Sequence, residues 1–287
     1  MKLAYFPGCT VKAQAPQFEA SALAVARVLG VELVEPANWQ CCGAVYPLAT
    51  DNLLPLASPY RTLMAAAKAG LDVTTLCSAC HNVLKRTAHR LQTDAEVRAK
   101  LEAFTEEPWQ PVRVRHLLEV IRDEFGWEAL AGRAQRRLSL RLAPYYGCLL
   151  LRPAEVMAFD DPERPRVLHQ LCAALGAEPV SSPYEAECCG AFLTLADARA
   201  SLAAARNIIA AARGRGAQAI VTSCPLCHFN LDARQAELAA DGQPLPVLYF
   251  TQVLAQALGL SDDCCQFDLH YADPAPRFAG ESGGGNG

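Results

Sequence analysis

Ten of the 13 cysteines fall into two copies of one pattern. Each copy has a single cysteine, an adjacent pair followed by glycine, and a Cys-x-x-Cys that 34 residues separate from the pair. The first copy comprises Cys9, Cys41, Cys42, Cys77 and Cys80, and the second comprises Cys148, Cys188, Cys189, Cys224 and Cys227. Thiols at such repeated spacing indicate metal binding or redox chemistry.

The number of thiols in each copy bears on which metal they bind. A structural zinc site takes four ligands, and an ordinary [4Fe-4S] cubane also takes four cysteines. Each copy offers five thiols, one more than either site needs. An iron–sulfur centre in each copy is the favoured hypothesis, and zinc stays open as the alternative.

The residues around the cysteines repeat as well, which indicates two similar domains. Each repeat alternates short apolar strands with helices, and the first long helix of each ends at a glycine, Gly30 or Gly176. This order predicts an α/β fold in which each domain has a small, mostly parallel sheet flanked by helices. We place the first domain at residues 1–137 and the second, with a C-terminal tail, at residues 138–287.

The predicted elements place the thiols at strand ends and turns. Cys9, Cys77, Cys148 and Cys224 lie just past predicted strands, where ligands collect in open α/β sheets. Each Cys-x-x-Cys also opens a helix, whose positive end stabilises thiolates. The glycine after each pair permits the kink that two adjacent cysteines need to face one centre.

Composition limits the other possibilities. The chain has 287 residues, 52% hydrophobic content and a net charge of −4, so no strong positive field attracts nucleic acid. No run of about 18 apolar residues indicates a membrane span, and the N-terminal stretch has no apolar core typical of a signal peptide. We therefore expect a cytoplasmic protein with reduced thiols rather than a disulfide scaffold.

Over nearly the whole chain, the two cysteine sets resemble the paired CCG motifs of the heterodisulfide reductase B-subunit family. The resemblance implies that all ten cysteines hold two non-cubane [4Fe-4S] clusters, one in each domain. It also implies that a disulfide is cleaved between the two centres, each of which captures one thiolate half. Electrons would come from a ferredoxin-like iron–sulfur subunit and a flavin-containing subunit of the same complex.

Two functions follow from this resemblance. The first is the catalytic subunit of a heterodisulfide-reductase-like complex, an oxidoreductase that cleaves or forms a disulfide or a related sulfur substrate. The alternative is an iron–sulfur electron-transfer or docking subunit of a quinone-linked dehydrogenase of the succinate, glycolate or lactate type. The chain shows no ferredoxin-type cysteine run and no flavin fingerprint, so either function needs partner subunits.

The sequence also predicts roles for residues outside the ten-cysteine pattern. His81 and His228 each follow a Cys-x-x-Cys and are the candidate proton donors or hydrogen-bond donors to a cluster; an ordinary structural hydrogen bond is the alternative. Buried packing is expected for Cys172, and a flexible non-ligand role for Cys264 and Cys265.

If the repeats pack about a pseudo-two-fold axis, the CCG loops converge on a largely apolar pocket. We expect its wall to include Ala44, Val45, Ala191 and Phe192.

Overall fold

Short apolar segments form two parallel sheets, one in each repeat. The computed structural model describes residues 1–44, 53–241 and 243–278, and Val45 therefore lies outside the described residues. The first sheet has the order β2-β1-β3-β4 and the second β6-β5-β7-β8, with every pair parallel. The strands are β1 (Lys2–Phe6), β2 (Glu32–Val34), β3 (Val73–Thr75), β4 (Val114–His116), β5 (Arg141–Tyr145), β6 (Glu178–Pro179), β7 (Ala219–Thr222) and β8 (Val247–Tyr249). The prediction of two α/β repeats is confirmed, including the parallel strands.

Helices flank both sheets. Those of the first repeat are α1 (Cys9–Gln14), α2 (Pro16–Leu29), α3 (Ala57–Lys68), α4 (Ser78–Thr93), α5 (Ala95–Thr105), α6 (Leu117–Val120) and α7 (Trp127–Arg133). Those of the second are α8 (Ala154–Met157), α9 (Val167–Ala174), α10 (Ala198–Gly214), α11 (Pro225–Leu231), α12 (Phe250–Ala257) and α13 (Ala275–Phe278). Within the described ranges, no helix is both long and apolar enough to span a bilayer.

Local signals in the sequence set the ends of the longest helices. Proline begins α2, where its missing N–H costs no hydrogen bond, and Gly30 ends it at φ 75°. The N–H of Val31 then donates to Ala26 O at 2.8 Å, which turns the chain into β2. The helix that begins at Pro225 ends at Leu231, and a separate 3₁₀ segment follows.

One helix of each repeat packs on the other repeat. Helix α7 of the first repeat packs on α9 of the second, and α12 of the second repeat packs on α2 of the first. Backbone hydrogen bonds hold the segment that joins the two repeats. The N–H of Gln135 donates to Ala257 O, and that of Leu138 donates to Leu175 O. The two repeats therefore share one continuous core, and the domain boundary at residue 137 stays a prediction.

Phe18 of α2 lies in the contact between the two repeats and shows how much this contact contributes to stability. Its ring is fully buried, stacks on Tyr249 of the other repeat at 4.0 Å, and meets Phe250 edge-on. Phe18→Ala is expected to lower the free energy of unfolding by about 3–5 kcal/mol, as in other large-to-small core changes. Chemical denaturation measures the change. Phe104, which is 55% exposed, is the matched control, and equal small effects of both alanine variants would contradict this packing.

Candidate metal centres

Each Cys-x-x-Cys opens a helix at the carboxyl end of a central strand. Cys77 follows β3 as the extended residue before α4, and Cys224 follows β7 in the same way before α11. The N–H groups of the residues at 81 and 228 close the first turn onto the carbonyls of Cys77 and Cys224 at 2.9 Å. The predicted strand–cysteine–helix arrangement is therefore present in both repeats.

The glycine before each single cysteine makes room for a sulfur atom. Gly8 has φ 75°, and a Cβ at this position would lie 2.7 Å from Cys80 Sγ. Gly147 has φ 64°, and its Cβ would lie 3.2 Å from Cys227 Sγ. Only glycine combines this backbone conformation with the close approach. The backbone of each β–α turn is thus held against the second thiol of the Cys-x-x-Cys.

Gly8→Ala tests whether this close approach is needed. The added methyl group would displace the Cys80 thiol, so we expect the iron bound by anaerobically prepared protein to fall by up to half. Gly70 is the matched control, because it also has positive φ (66°) but has nothing within 4 Å of an added Cβ. Gly70→Ala should cost only about 1 kcal/mol of stability and leave iron unchanged. Full iron retention in Gly8→Ala would refute the steric account.

The structure brings the five thiols of each set together. In the first set Cys9 Sγ lies 3.3 Å from Cys41 Sγ, and Cys42 Sγ lies 3.5 Å from Cys80 Sγ. Gly43, directly after the adjacent pair, takes φ 80°, the unusual backbone conformation that a glycine at this position permits. Cys77 precedes Cys80 in the same Cys-x-x-Cys turn, and the two thiols are close enough for each to shift the pKa of the other.

The second set is assembled in the same way. Cys189 Sγ lies 3.4 Å from Cys227 Sγ, and Gly190 takes φ 76° after the pair. Cys188 is close enough to Cys148, and Cys224 to Cys227, for each thiol to shift the pKa of the other. All thirteen cysteines are free thiols.

The two sets also touch each other. Cys77 and Cys224, the first cysteines of the two Cys-x-x-Cys turns, are close enough for each thiol to shift the pKa of the other. Beside them, Ser78 N and Oγ donate to Ser223 O at 3.2 and 3.1 Å. The carboxyl ends of β3 and β7 therefore meet, and the ten thiols form two adjacent groups across the pseudo-two-fold axis.

Hydrogen bonds between thiols of a set favour the thiolate form of one partner and oppose it in the other. A bond with the Cys80 thiol lowers the pKa of Cys42, and one with Cys148 lowers that of Cys188. The same bonds raise the pKa of Cys80 and of Cys148. Burial raises the pKa of Cys172 to about 12, and no thiol of either set contributes to that shift.

The donor chemistry fits an iron–sulfur centre in each set. Five soft thiol ligands converge on one region, and each set lies at the N-terminus of a helix, which favours an anionic centre. A closed zinc site would need only four of the five. The residues that would hold the two centres are the ten cysteines of the repeated pattern.

His81 and His228 lie behind the Cys-x-x-Cys turns. His81 is fully buried, and its Nε2 is 3.2 Å from Glu119 Oε2 without the alignment of a hydrogen bond. His228 Nε2 is 3.0 Å from Val247 O and 3.2 Å from His270 Nδ1. Burial holds the pKa of both imidazoles well below the usual value. Both rings are therefore neutral.

The ends of β4 and β8 carry two site residues that the sequence did not single out. His116 ends β4 and is fully buried; its Nε2 is 2.7 Å from Leu76 O, and its imidazole interacts electrostatically with Cys224 of the other set. Tyr249 ends β8 near both Cys224 and Cys77. Each ends a short strand that follows a Pro-Val segment, His116 five residues after Pro111 and Tyr249 three after Pro246, and this loose repeat was the signal that could have identified them.

The three remaining cysteines lie apart from the two sets. Cys172 is fully buried inside α9, as expected for packing. The prediction that Cys264 and Cys265 lie in a flexible tail was wrong. Cys265 is fully buried, and its sulfur accepts a hydrogen bond from the Gln256 amide. The tail is also anchored where Asp232 accepts hydrogen bonds from the N–H groups of Tyr271 and Ala272.

A cavity of about 380 Å³ lies at the second set and is lined by all five of its cysteines, so it includes the space that a centre held by these thiols would fill. The other lining residues are Ala44, Ser78, Tyr146, Leu149, Ala191, Phe192 and Leu226. Residues from both repeats and from both CCG loops thus form one wall, as predicted for Ala44, Ala191 and Phe192.

Comparisons with known proteins agree with this architecture. Residues 3–85 and 142–232 both match the CCG cysteine-rich domain family. The chain is 31% identical over 267 residues to the 8-methylmenaquinol:fumarate reductase membrane anchor subunit of Wolinella succinogenes, covering 90% of this chain and 93% of that one. It is 30% identical over 272 residues to the B subunit of a ferredoxin/F420H2-dependent CoB-CoM heterodisulfide reductase from Methanosarcina acetivorans, covering 91% of each.

A solved structure shows the same fold at low sequence identity. A hypothetical protein from Helicobacter pylori superposes with a TM-score of 0.76 at 11% identity. The match covers 95% of this chain and 52% of that one, so this chain spans about half of that protein. Together with the two repeats and their ten converging thiols, the sequence matches establish that the chain belongs to the CCG cysteine-rich family that includes the B subunits of heterodisulfide reductases.

Proposed function

We propose that this chain is the catalytic subunit of a heterodisulfide-reductase-like complex. In the proposed reaction an organic disulfide takes up two electrons and two protons and becomes two thiols, or the reverse reaction joins two thiols. The observation that carries this proposal is the meeting of the two Cys-x-x-Cys turns, where Ser78 N and Oγ donate to Ser223 O and Cys77 lies near Cys224. Two centres held by these sets would therefore be neighbours, which cleavage of one disulfide between them requires.

The ten cysteines are proposed to hold two [4Fe-4S] centres of the non-cubane type, one in each repeat. When bound, these centres supply single electrons and iron positions that accept sulfur. The chain itself supplies the helix ends that favour thiolates and the apolar wall that excludes water. His81, whose buried ring nitrogens lack hydrogen-bond partners among the described residues, is proposed to donate to the first centre. His228 is proposed to hold the turn at the second.

Partner subunits are part of the proposal. Relatives that share this architecture are named as subunits of heterodisulfide reductases, and we propose that electrons come from a ferredoxin-like iron–sulfur subunit and a flavin-containing subunit. We also propose a cytoplasmic location, because the free thiols of the two sets stay reduced in that compartment.

The relative from Wolinella succinogenes favours a second candidate function. That protein is named as a subunit of a fumarate reductase, so an iron–sulfur electron-transfer or docking subunit of a quinone-linked dehydrogenase is the alternative. The two candidates differ in one respect, since only the first acts on a disulfide itself.

Thiol release from a disulfide distinguishes the two functions. Anaerobically purified holoprotein would be mixed with reduced methyl viologen and bis(2-hydroxyethyl) disulfide, and free thiol would be measured against time. Catalytic formation of two thiols per disulfide supports the first function. Iron-loaded protein that accepts electrons from the dye and yet releases no thiol would reject it in favour of electron transfer.

A further inference from the structure

A second cavity lies between the two repeats, away from both cysteine sets. It has a volume of about 320 Å³ and lies where α4 of the first repeat packs on α8 of the second. The described residues that line it include no cysteine, and those on α4 begin nearly two turns along the helix from Cys80. Small-molecule sites often lie at such interfaces between domains. This cavity is therefore separate from the space that the two proposed centres would fill.

Three basic side chains of α4 line this second cavity. Arg86 and Arg90 are four residues apart and share one face of the helix with His89. Like charges at this spacing repel each other, and no carboxylate of the described residues forms an ion pair with either arginine. Burial lowers the pKa of Arg86, and the attraction of Glu155 only partly offsets this effect. The two guanidinium groups thus carry more charge than Glu155, the one acidic residue of the described lining, can balance.

A buried hydroxyl group in the same wall lacks a partner. Thr87 is only 1% exposed and lines the cavity, and its Oγ1 forms no hydrogen bond with any described residue. The Thr93 hydroxyl, by contrast, donates to His89 O at 2.9 Å. Because a buried polar group without a partner is unfavourable, the Thr87 hydroxyl indicates a ligand that accepts a hydrogen bond.

We propose that this cavity binds a small organic molecule through a phosphate group. Guanidinium groups pair with phosphate oxygens in a bidentate manner, and two of them match a group that carries up to two negative charges. The Thr87 hydroxyl supplies a further donor. The side chains of Leu56, Pro153 and Val156 provide apolar surface for the organic part of the ligand. The site does not depend on the proposed disulfide chemistry, because no thiol of the described residues lines it.

A matched pair of ligands tests the proposal. Phenyl phosphate and benzoate carry the same ring, but only the first has a phosphate group. Binding to anaerobic, iron-loaded protein would be measured by calorimetry at constant ionic strength. We expect phenyl phosphate to bind with a dissociation constant of ~1 mM or lower, and benzoate to bind at least about tenfold more weakly. Equal affinities would overturn the choice of phosphate, and a lack of phenyl phosphate binding would overturn the site.

Charge variants make the test specific to this cavity. Arg86→Ala and Arg90→Ala should each weaken phenyl phosphate binding by at least about tenfold. Arg27→Ala removes the same charge from an exposed position of α2 outside the cavity, and it should leave the affinity unchanged. Glu155→Gln should strengthen binding, because it removes the repulsion between its carboxylate and the phosphate. Unchanged affinity in both cavity arginine variants would contradict the proposal.

Thr87→Val distinguishes a role in binding from a role in folding. It should weaken phenyl phosphate binding several-fold and leave the thermal stability of the ligand-free protein unchanged or higher, because the lost hydroxyl has no partner among the described residues. Each variant should keep the iron content of the unmodified protein, which shows that a lost affinity is not a lost fold. A less stable Thr87→Val protein with full affinity would show that this hydroxyl serves the fold and would overturn its assignment to a ligand.

Discussion

Cys189→Ser is expected to halve the iron of anaerobically prepared protein, from about eight to about four atoms per chain. Cys189 is buried within the second set, where its sulfur lies 3.4 Å from Cys227 Sγ. A serine hydroxyl is a poor replacement for a soft thiolate ligand, so we expect the second centre to be lost. Cys42→Ser should do the same to the first centre. Iron, zinc and acid-labile sulfide would be determined together.

The control for this experiment is the buried cysteine outside both sets. Cys172→Ala should leave the iron and sulfide content unchanged, because that thiol lies inside α9 and touches neither set in the arrangement described above. Loss of all iron from Cys42→Ser or Cys189→Ser alone would show that the two centres do not assemble separately. Loss of iron from Cys172→Ala would show that a ligand had been misassigned.

Either single-centre variant should also lose disulfide cleavage almost completely, by at least about a hundredfold in turnover. The two sulfurs of a disulfide are only ~2 Å apart, and the proposed reaction needs a centre on each side of that bond. The thiol sets that would supply these centres meet at Cys77 and Cys224. A variant with one intact centre retains electron uptake and loses the second sulfur acceptor.

Steady-state thiol release from the viologen assay measures this loss. It would be normalised to the centre that remains, as quantified by the spectrum of the reduced protein. The matched control is again Cys172→Ala, which should keep full turnover. If Cys42→Ser or Cys189→Ser retained about half of the normal activity, a single centre would be sufficient, and cleavage between two centres would be excluded.

Much of this architecture could be predicted, because in each repeat the cysteines lie where local sequence signals end a strand or begin a helix. Glycine ended α2 where the sequence placed it, since only glycine takes the left-handed φ of Gly30 at no cost. The Cys-x-x-Cys turns followed from apolar strands that stop at a cysteine. The convergence of five thiols was expected from the repeated spacing and from the CCG glycines, whose positive φ values turn both cysteines of a pair toward one side.

Other features depend on tertiary contacts that the sequence does not specify. β4 and β8 have three residues each, too few for an alternating pattern, and they were not predicted. The packing of α7 and α12 on the opposite repeat was also not predicted, because the apolar face of a helix does not identify the surface that covers it. The burial of Cys265 depends on Gln256 and on a tail anchored by Asp232, which lies far away in sequence.

The distance between the two centres tests the central claim most directly. Anomalous diffraction at the iron absorption edge, from crystals grown anaerobically, would locate both groups of iron atoms. We predict two groups on the order of 10 Å apart, as a shared disulfide requires, with the sulfurs of Cys77 and Cys224 between them. Iron groups some 25 Å apart with protein packed between them, or a zinc signal in place of iron, would contradict cleavage between two iron–sulfur centres.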